Sequence, residues 1–372
     1  MIFICEKQKL QEGILIVQKA ITGKSTMPIL EGIYIKTDSN GITLIGSDKD
    51  LSIETKVEAD VLEQGSIVID SKIFGEIIRK LPNSEVRIEI IENDTVQISC
   101  EKSIFNVVLM NPEEYPALPD ITNEKQISVP QNILKNMIKS TSFSVAQDET
   151  RPILQGVLFE IKDKSLNLVA LDGYRLAVKS EYLDSEFDID VVIPGKTLNE
   201  VSKILEDVDN LVNITFTKNQ ILFNLEHTKI ISRLLEGKFV NYASLLPQEH
   251  KLLVYVNRQD LQNGIERASL MSKEGNSNLI KLKIEDDVLV ITSNSQLGKV
   301  REEVEINMQG EELEIAFNSR YLLDVLKNME EEVIRLEMTS SITPCVIKAK
   351  DNDWYKYLIL PVRLLRSEEM YK

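Results

Sequence analysis

One pattern recurs along this chain at a spacing of 124 residues. It reads "SKIFGEIIRKL" at 71–81, "GKTLNEVSKIL" at 195–205 and "SRYLLDVLKNM" at 319–329. Each copy opens with a small residue followed by a base: Lys72, Lys196 and Arg320. Each follows a short apolar run closed by turn-formers: "SIVID", "DVVIP" and "EIAFN". A fixed internal period means one structural unit built repeatedly. A unit above about 100 residues can bury its own core, so these are domains and not the short, interdependent repeats of a solenoid.

The residues around the helix repeat as well. "MPILEGIYIKTDSNGITLIGSD" (27–48) matches "RPILQGVLFEIKDKSLNLVALD" (151–172). Pro28, Leu30, Gly32 and Asp48 become Pro152, Leu154, Gly156 and Asp172. A fainter third copy is "NLIKLKIEDDVLVITSN" (278–294). All three alternate apolar and polar residues around a polar turn, which predicts hairpins. Each unit also begins with an amphipathic helix, predicted at 7–22, 130–145 and 257–271, with stripes such as Leu10, Ile14 and Val17. Unit ends coincide with "FNVVLMNPEEYPALP", "SRLLEGKFVNYASLLP" and "YKYLILPVRLL". The expected fold is α+β, in three domains at 1–121, 127–247 and 251–372. Each domain would hold two helices packed on about eight antiparallel strands, with the short links "ITNEK" and "QEHK" between domains.

Little in the composition suits catalysis. Two histidines and three scattered cysteines, Cys5, Cys100 and Cys345, leave metal sites and histidine acid–base work poorly supplied. The cysteines read as buried small hydrophobes. No Gly-rich phosphate loop or nucleophile beside a base is present. Asp48 and Asp172 recur at matching turns, where aspartate commonly accepts local backbone bonds. No cofactor, metal or catalytic residue is expected. No apolar run approaches about 18 residues, and the N-terminal "MIFICEKQKLQEG" is too short for a signal peptide, so a cytoplasmic protein without membrane association is expected.

The net charge of −16 argues, taken whole, against nucleic acid. Its distribution argues the other way. Three of the six predicted helices carry +2, two carry +1 and one is neutral, so the helices hold +8 and the remainder −24. Weakly basic helix faces can meet a polyanion without reading bases, while acidic strands face solvent. Lys72, Lys135, Lys139, Lys203 and Arg320 are candidates for such a lining on charge alone.

Taken together, the three repeats, "PILEG"/"PILQG", "ALDGYRLAV" and the terminal "LPVRLL" resemble the bacterial DNA polymerase III beta subunit family, the sliding clamps. The resemblance covers the whole chain. It implies a head-to-tail homodimer forming a six-domain ring, with twelve helices lining a hole around duplex DNA. It implies tethering of the replicative polymerase without catalysis, and opening and closing of the ring by a clamp loader. It implies as partners double-stranded DNA, the DNA polymerase III alpha subunit, the clamp loader complex and other proteins displaying a short clamp-binding peptide. DNA-facing positions carried over are Lys24, Gln147 and Lys196. Two positions that are aromatic in some relatives are Pro152 and Ile153 here.

The resemblance also places a peptide pocket. Its positions are Leu154, Leu171, Gly173, Tyr174, Arg175 and Leu176, then Val240, Ser244 and Leu245, then Ile342, Pro344, Leu358, Leu360, Pro361, Val362 and Arg363. An apolar groove with a few polar edges suits a short apolar motif. Some relatives carry arginine at Ser244 and histidine at Tyr174, which leaves the peptide preference open. The implied dimer interface sets Phe105 and Val107 against Leu270 and Met271 of the next subunit. Two other readings compete: an enzyme using the repeated aspartates, and a clamp-like adaptor serving a plasmid, phage or second-copy role.

Overall fold

The computed structural model describes residues 1–372 except 24, 93, 120, 122–124, 149, 274–277, 297 and 364–372. Among the described residues six α-helices form: α1 Lys7–Val17, α2 Ser71–Lys80, α3 Gln131–Ser142, α4 Gly195–Ile204, α5 Arg258–Lys273 and α6 Ser319–Lys327. The α1 segment is shorter than its apolar stripe predicted, because the chain tightens into a 3-10 turn at Gln18–Ala20. Every helix follows a strand directly. The strand-to-helix steps Asp70/Ser71, Pro194/Gly195 and Asn318/Ser319 are 124 residues apart. Side chains stop these strands and start these helices. Asp70 accepts a bond from Ile73 N at 2.8 Å and Asn318 from Arg320 N at 3.0 Å, each capping a free N-terminal donor. Arg79, Lys80 and Lys327 sit in last turns, where they face the negative end of the helix dipole.

The contacts divide the chain into two compact units that cut across the repeat. Unit 1 is Met1–Lys135 with Glu200–Leu234; unit 2 is Asn136–Asn199 with Leu235–Lys372. Unit 1 holds a five-stranded sheet ending at Ser103–Val108 and an eight-stranded sheet. In the latter, Leu51–Val57 of the first repeat pairs antiparallel with Thr228–Arg233 of the second. Unit 2 holds a twelve-stranded sheet in which Arg175–Tyr182 of the second repeat pairs with Tyr355–Ile359 of the third. Sheets therefore run across repeat boundaries.

The predicted hairpins form in register: Gly32–Asp38 with Gly41–Ser47, Gly156–Lys162 with Ser165–Leu171, and Leu279–Glu285 with Val288–Ser295. Helices α5 and α6 pack one sheet face of unit 2 around Leu261, Ile265, Phe317, Leu322, Leu326 and Tyr357, all at most 2 % exposed. Cys5, Cys100 and Cys345 are buried thiols, as expected; burial pushes Cys5 up to about 11, so it stays protonated and unreactive.

Gly310 ends the long strand Gly298–Gly310 at φ +120, and a Cβ there would lie 2.0 Å from Lys251 O. Both the conformation and the space exclude a side chain. Gly310→Ala should cost about 1–3 kcal/mol, read as a lower melting temperature of the unit 2 transition. An unchanged transition would contradict this account of the strand end.

Candidate functional site

The turn between two strands of unit 2 organises the pocket positions. Asp172 Oδ1 accepts the backbone N–H groups of Tyr174 and Arg175 at 2.9 and 3.0 Å. Gly173 between them takes φ +92, a conformation that favours glycine. Asp48 makes the same turn in the first repeat, accepting from Asp50 N and Leu51 N at 3.1 and 2.8 Å. The repeated aspartates are turn-builders, which removes the basis for reading them as a catalytic pair.

Beneath the turn, Leu154, Leu171, Leu176 and Leu358 share one buried cluster with Val346 and Phe239. These four predicted positions form a floor, not contacts at the surface. The fringe is exposed and apolar: Tyr174 61 %, Ile342 64 %, Leu245 44 %, Val240 41 %, Leu360 39 % and Val362 38 %. Leu360 N donates to Tyr174 O at 2.9 Å, which joins two sides of the fringe through backbone. Pro344 and Pro361 are half-buried, while Ser244 and Arg363 are exposed. Ser244 Oγ turns back on Asn241 O at 2.7 Å. Sequence reasoning did not place Phe239, Val346 or Ile153 in the pocket, and they pack into or against the floor. Their sequence signal for it was being apolar within two residues of a pocket position.

The first repeat keeps a smaller apolar cluster at the equivalent place, Ile29, Leu30 and Val68. Ser47 and Ser52 stand where Leu171 and Leu176 stand in the second repeat, and their hydroxyls bond each other at 2.7 Å. The frame is built twice, but two leucines of the second repeat's floor are serines in the first.

Arg175, one of the predicted pocket positions, is buried beneath the turn and not in the exposed fringe. Its side chain is 8 % exposed. Nε donates to Asp172 Oδ2 at 3.1 Å, Nη1 to Asp324 Oδ2 at 2.5 Å and Nη2 to Phe143 O at 2.7 Å. The guanidinium lies 4.7 Å from the Tyr321 ring centre and 5.4 Å from that of Phe143. Tyr321 in turn stacks on Tyr174 at 6.1 Å. All three guanidinium nitrogens are engaged inside the protein, so Arg175 supports the site from below. Burial, with Asp172 nearby, raises the Tyr321 hydroxyl pKa above its ordinary value, so it stays neutral.

The helix cations fall into two groups. Lys72, Lys139, Lys196, Lys203 and Arg320 are exposed on α2, α3, α4 and α6, and Gln147 is exposed just beyond α3. Lys203 is paired with Glu200 at 2.7 Å. Lys135 is only 16 % exposed and its ammonium is held by Asp207 at 2.8 Å, which makes it the poorest of the candidates for meeting an outside anion. Lys9 pairs with Glu58 and Arg267 with Glu302, both partners lying outside the helices. The helical surplus read from sequence is therefore partly neutralised locally. Lys24 lies outside the described residues. A cavity of about 640 Å³ in unit 1 carries the wrong sign for DNA, with Glu12, Asp38, Glu58, Glu206 and Glu226 against Lys9, Lys56 and His227.

At the far strands, Ser103–Val108 ends its sheet and exposes Ile104 64 %, Phe105 39 % and Val108 70 %; Val107 is half-buried. On α5, Leu270 is 59 % exposed, and Met271 Sδ lies 3.8 Å from where a Gly298 Cβ would stand.

Comparison with known proteins covers nearly the whole chain. Models of the DNA polymerase III beta subunit match in series: the N-terminal domain over residues 1–119, the central domain over 128–241 and the C-terminal domain over 243–363. The beta sliding clamp of Bacillus subtilis strain 168 is 40 % identical over 374 residues, covering 97 % of this chain and 99 % of the relative. That of Halalkalibacterium halodurans is 39 % identical over 376 residues with the same coverage. The crystal structure of the DNA polymerase sliding clamp from Bacillus subtilis superposes with a TM-score of 0.95 at 38 % identity, covering 98 % of this chain and 100 % of that one. A sliding clamp from Pseudomonas aeruginosa bound to griselimycin superposes at 0.93 and 27 % identity with the same coverage. The chain belongs to the DNA polymerase III beta subunit family, the sliding clamps that serve DNA polymerase as non-catalytic processivity factors.

Proposed function

We propose that two copies of this chain close head to tail into a ring around duplex DNA, with clamp domains at 1–121, 127–247 and 251–372. The observation that carries this reading is a pair of open strand edges whose repeat counterparts are already joined inside the chain. Leu51–Val57 pairs with Thr228–Arg233, and Arg175–Tyr182 with Tyr355–Ile359. The next member of the first series is the Gly298–Glu305 stretch, which pairs with Val288–Ser295 on one side. On its other side, Leu252–Val256 pairs only with residues 306–310, so 298–305 carries no ladder there among the described residues. The counterpart of Thr228–Arg233 in the first repeat is Ser103–Val108, the sheet-ending strand. Open strand edges invite pairing, and the 103–108 edge also exposes apolar side chains. A heterologous contact closes when its rotation allows.

The internal junction supplies a register. Thr55 faces Thr228, their hydroxyls 2.8 Å apart, and Ile53 faces Ile230. Carried along the repeat, Glu302 faces Ser103 of the second copy, Val300 faces Phe105 and Gly298 faces Val107. Met271 beside Gly298 then meets Val107, and exposed Leu270 adds apolar area.

On this reading the exposed bases Lys72, Lys139, Lys196, Lys203 and Arg320, with Gln147, face the DNA, and the ring works in the cytoplasm on replicating DNA. The groove of unit 2 takes the short apolar peptides of partners, among them the polymerase alpha subunit and the clamp loader. Its leucine floor and exposed apolar fringe support that role.

Two tests follow from this geometry. Ser103→Cys with Glu302→Cys should give a covalent dimer on oxidation, in a Cys100→Ala background because Cys100 lies opposite Ser103 across its hairpin. Opposed residues of an antiparallel pair bring their Cβ atoms within about 5 Å, inside disulfide reach. Ser103→Cys with Arg301→Cys should not crosslink, since Arg301 points to the other face. Equal crosslinking of both pairs, or of neither, would reject the register.

For the groove, Leu360→Asp should weaken binding of a short leucine-rich peptide at least about tenfold in calorimetry while leaving the melting temperature in place, because that side chain is exposed. Unchanged affinity would reject the pocket.

A further inference from the structure

The turn that carries Tyr174 is tied to helix α6 by two contacts. One is the stack of Tyr174 on Tyr321. The other is the bond from Arg175 Nη1 to Asp324 Oδ2. Tyr321 and Asp324 lie three residues apart on α6 and so share a face of that helix. The result is a layered column: the Tyr174 ring, the Tyr321 ring, the Arg175 guanidinium, then the Phe143 ring. Only the outermost layer, Tyr174 at 61 % exposure, belongs to the groove fringe.

The column has a single cation and two carboxylates. Asp172 is local to the turn and already holds two backbone N–H groups. Asp324 comes from a different element and is 30 % exposed. Without it, the Arg175 fork keeps only Asp172 and the Phe143 carbonyl, and one buried nitrogen loses its acceptor. The guanidinium plane would then be free to tilt, and Tyr321 and Tyr174 rest on that plane. The C-terminal segment follows the same geometry, since Leu360 N bonds Tyr174 O and Val362 N bonds Ala316 O, just before the Asn318 cap of α6.

We propose that Asp324 is a positioning residue for the peptide groove, acting through Arg175 to set the place of Tyr174 and, with it, Leu360. This rests on the reading of that groove as the peptide site. It makes the affinity for an apolar peptide depend on a carboxylate of α6, the helix that also presents Arg320 and Lys327 to solvent. The two functions then share one rigid column, and a change of charge on the helix is felt at the groove.

The test is a double-mutant cycle on the full-length protein, with the same short leucine-rich peptide as the probe and melting temperature recorded in parallel. Asp324→Asn keeps the shape and removes the charge. It should weaken binding roughly fivefold or more, and Asp324→Glu should restore most of the loss. Arg175→Lys keeps the charge, but its single nitrogen cannot reach acceptors spread around a planar fork, and it should weaken binding by a similar factor. Combining it with Asp324→Asn should add little, because both break one contact. A merely structural role would lower the melting temperature and leave the affinity of the folded protein and the cycle unmoved. Unchanged affinity in Asp324→Asn, or fully additive losses, would overturn the proposal while leaving the groove intact, provided Leu360→Asp weakens binding as expected. If Leu360→Asp also binds normally, the groove reading itself fails. Should Asp324→Asn not fold, Arg175→Lys carries the test alone, and normal binding by it overturns the proposal.

Discussion

Backbone pairing across the repeat boundary is the constraint on which the rest of this protein depends. A strand edge inside a protein must find donors and acceptors, and this chain meets the requirement twice by letting one repeat complete the sheet of the next. Ile53 against Ile230 and Ala177 against Tyr357 are the centres of those two seams. The third seam, as proposed, has its two halves in the first and third repeats, on 103–108 and 298–305. On the proposed account, the same interaction that stiffens the chain also makes the dimer, so assembly needs no surface of a new kind. It also explains why apolar Ile104, Phe105 and Val108 are left exposed on a sheet-ending strand.

A clamp must hold its partners in different ways. Contact with DNA has to permit movement, and exposed, singly placed lysines on helix faces suit that because each contributes a weak, screened attraction. Several helical bases are partly neutralised by neighbours such as Glu200 and Glu266, which keeps the field shallow. The proposed partner groove is different in kind. It has an apolar floor of leucines, a rim locked by the Asp172 turn, and a cation buried beneath it whose nitrogens all have acceptors. Rigidity there reduces the ordering cost of capturing a short peptide.

Much of this was legible in the sequence because it is local. The period of 124 set the strand-to-helix steps, alternation set the hairpins, and Asp48 and Asp172 were recognisable as turn residues from their setting. The pocket positions came from resemblance, and the structure sorts them into floor and fringe. What could not be read were long-range relations. Nothing in "DGYRLAV" says that its arginine reaches a helix 149 residues further on. Nothing at Lys135 says that Asp207 will take its charge, so counting charge by helix overstated the lining. Sheet continuity between repeats left no periodic trace either, because a strand's pattern reports which face is buried and not which strand lies beside it.

The most direct measurement of the central claim is retention on DNA of defined topology. The protein would be assembled by a clamp loader on nicked circular duplex, separated from free protein, and followed after the circle is cut once. A closed ring that binds the duplex weakly should stay on the circle and leave through the new ends. Equal loss from circular and linear DNA, or equal persistence on both, would contradict a topological clamp.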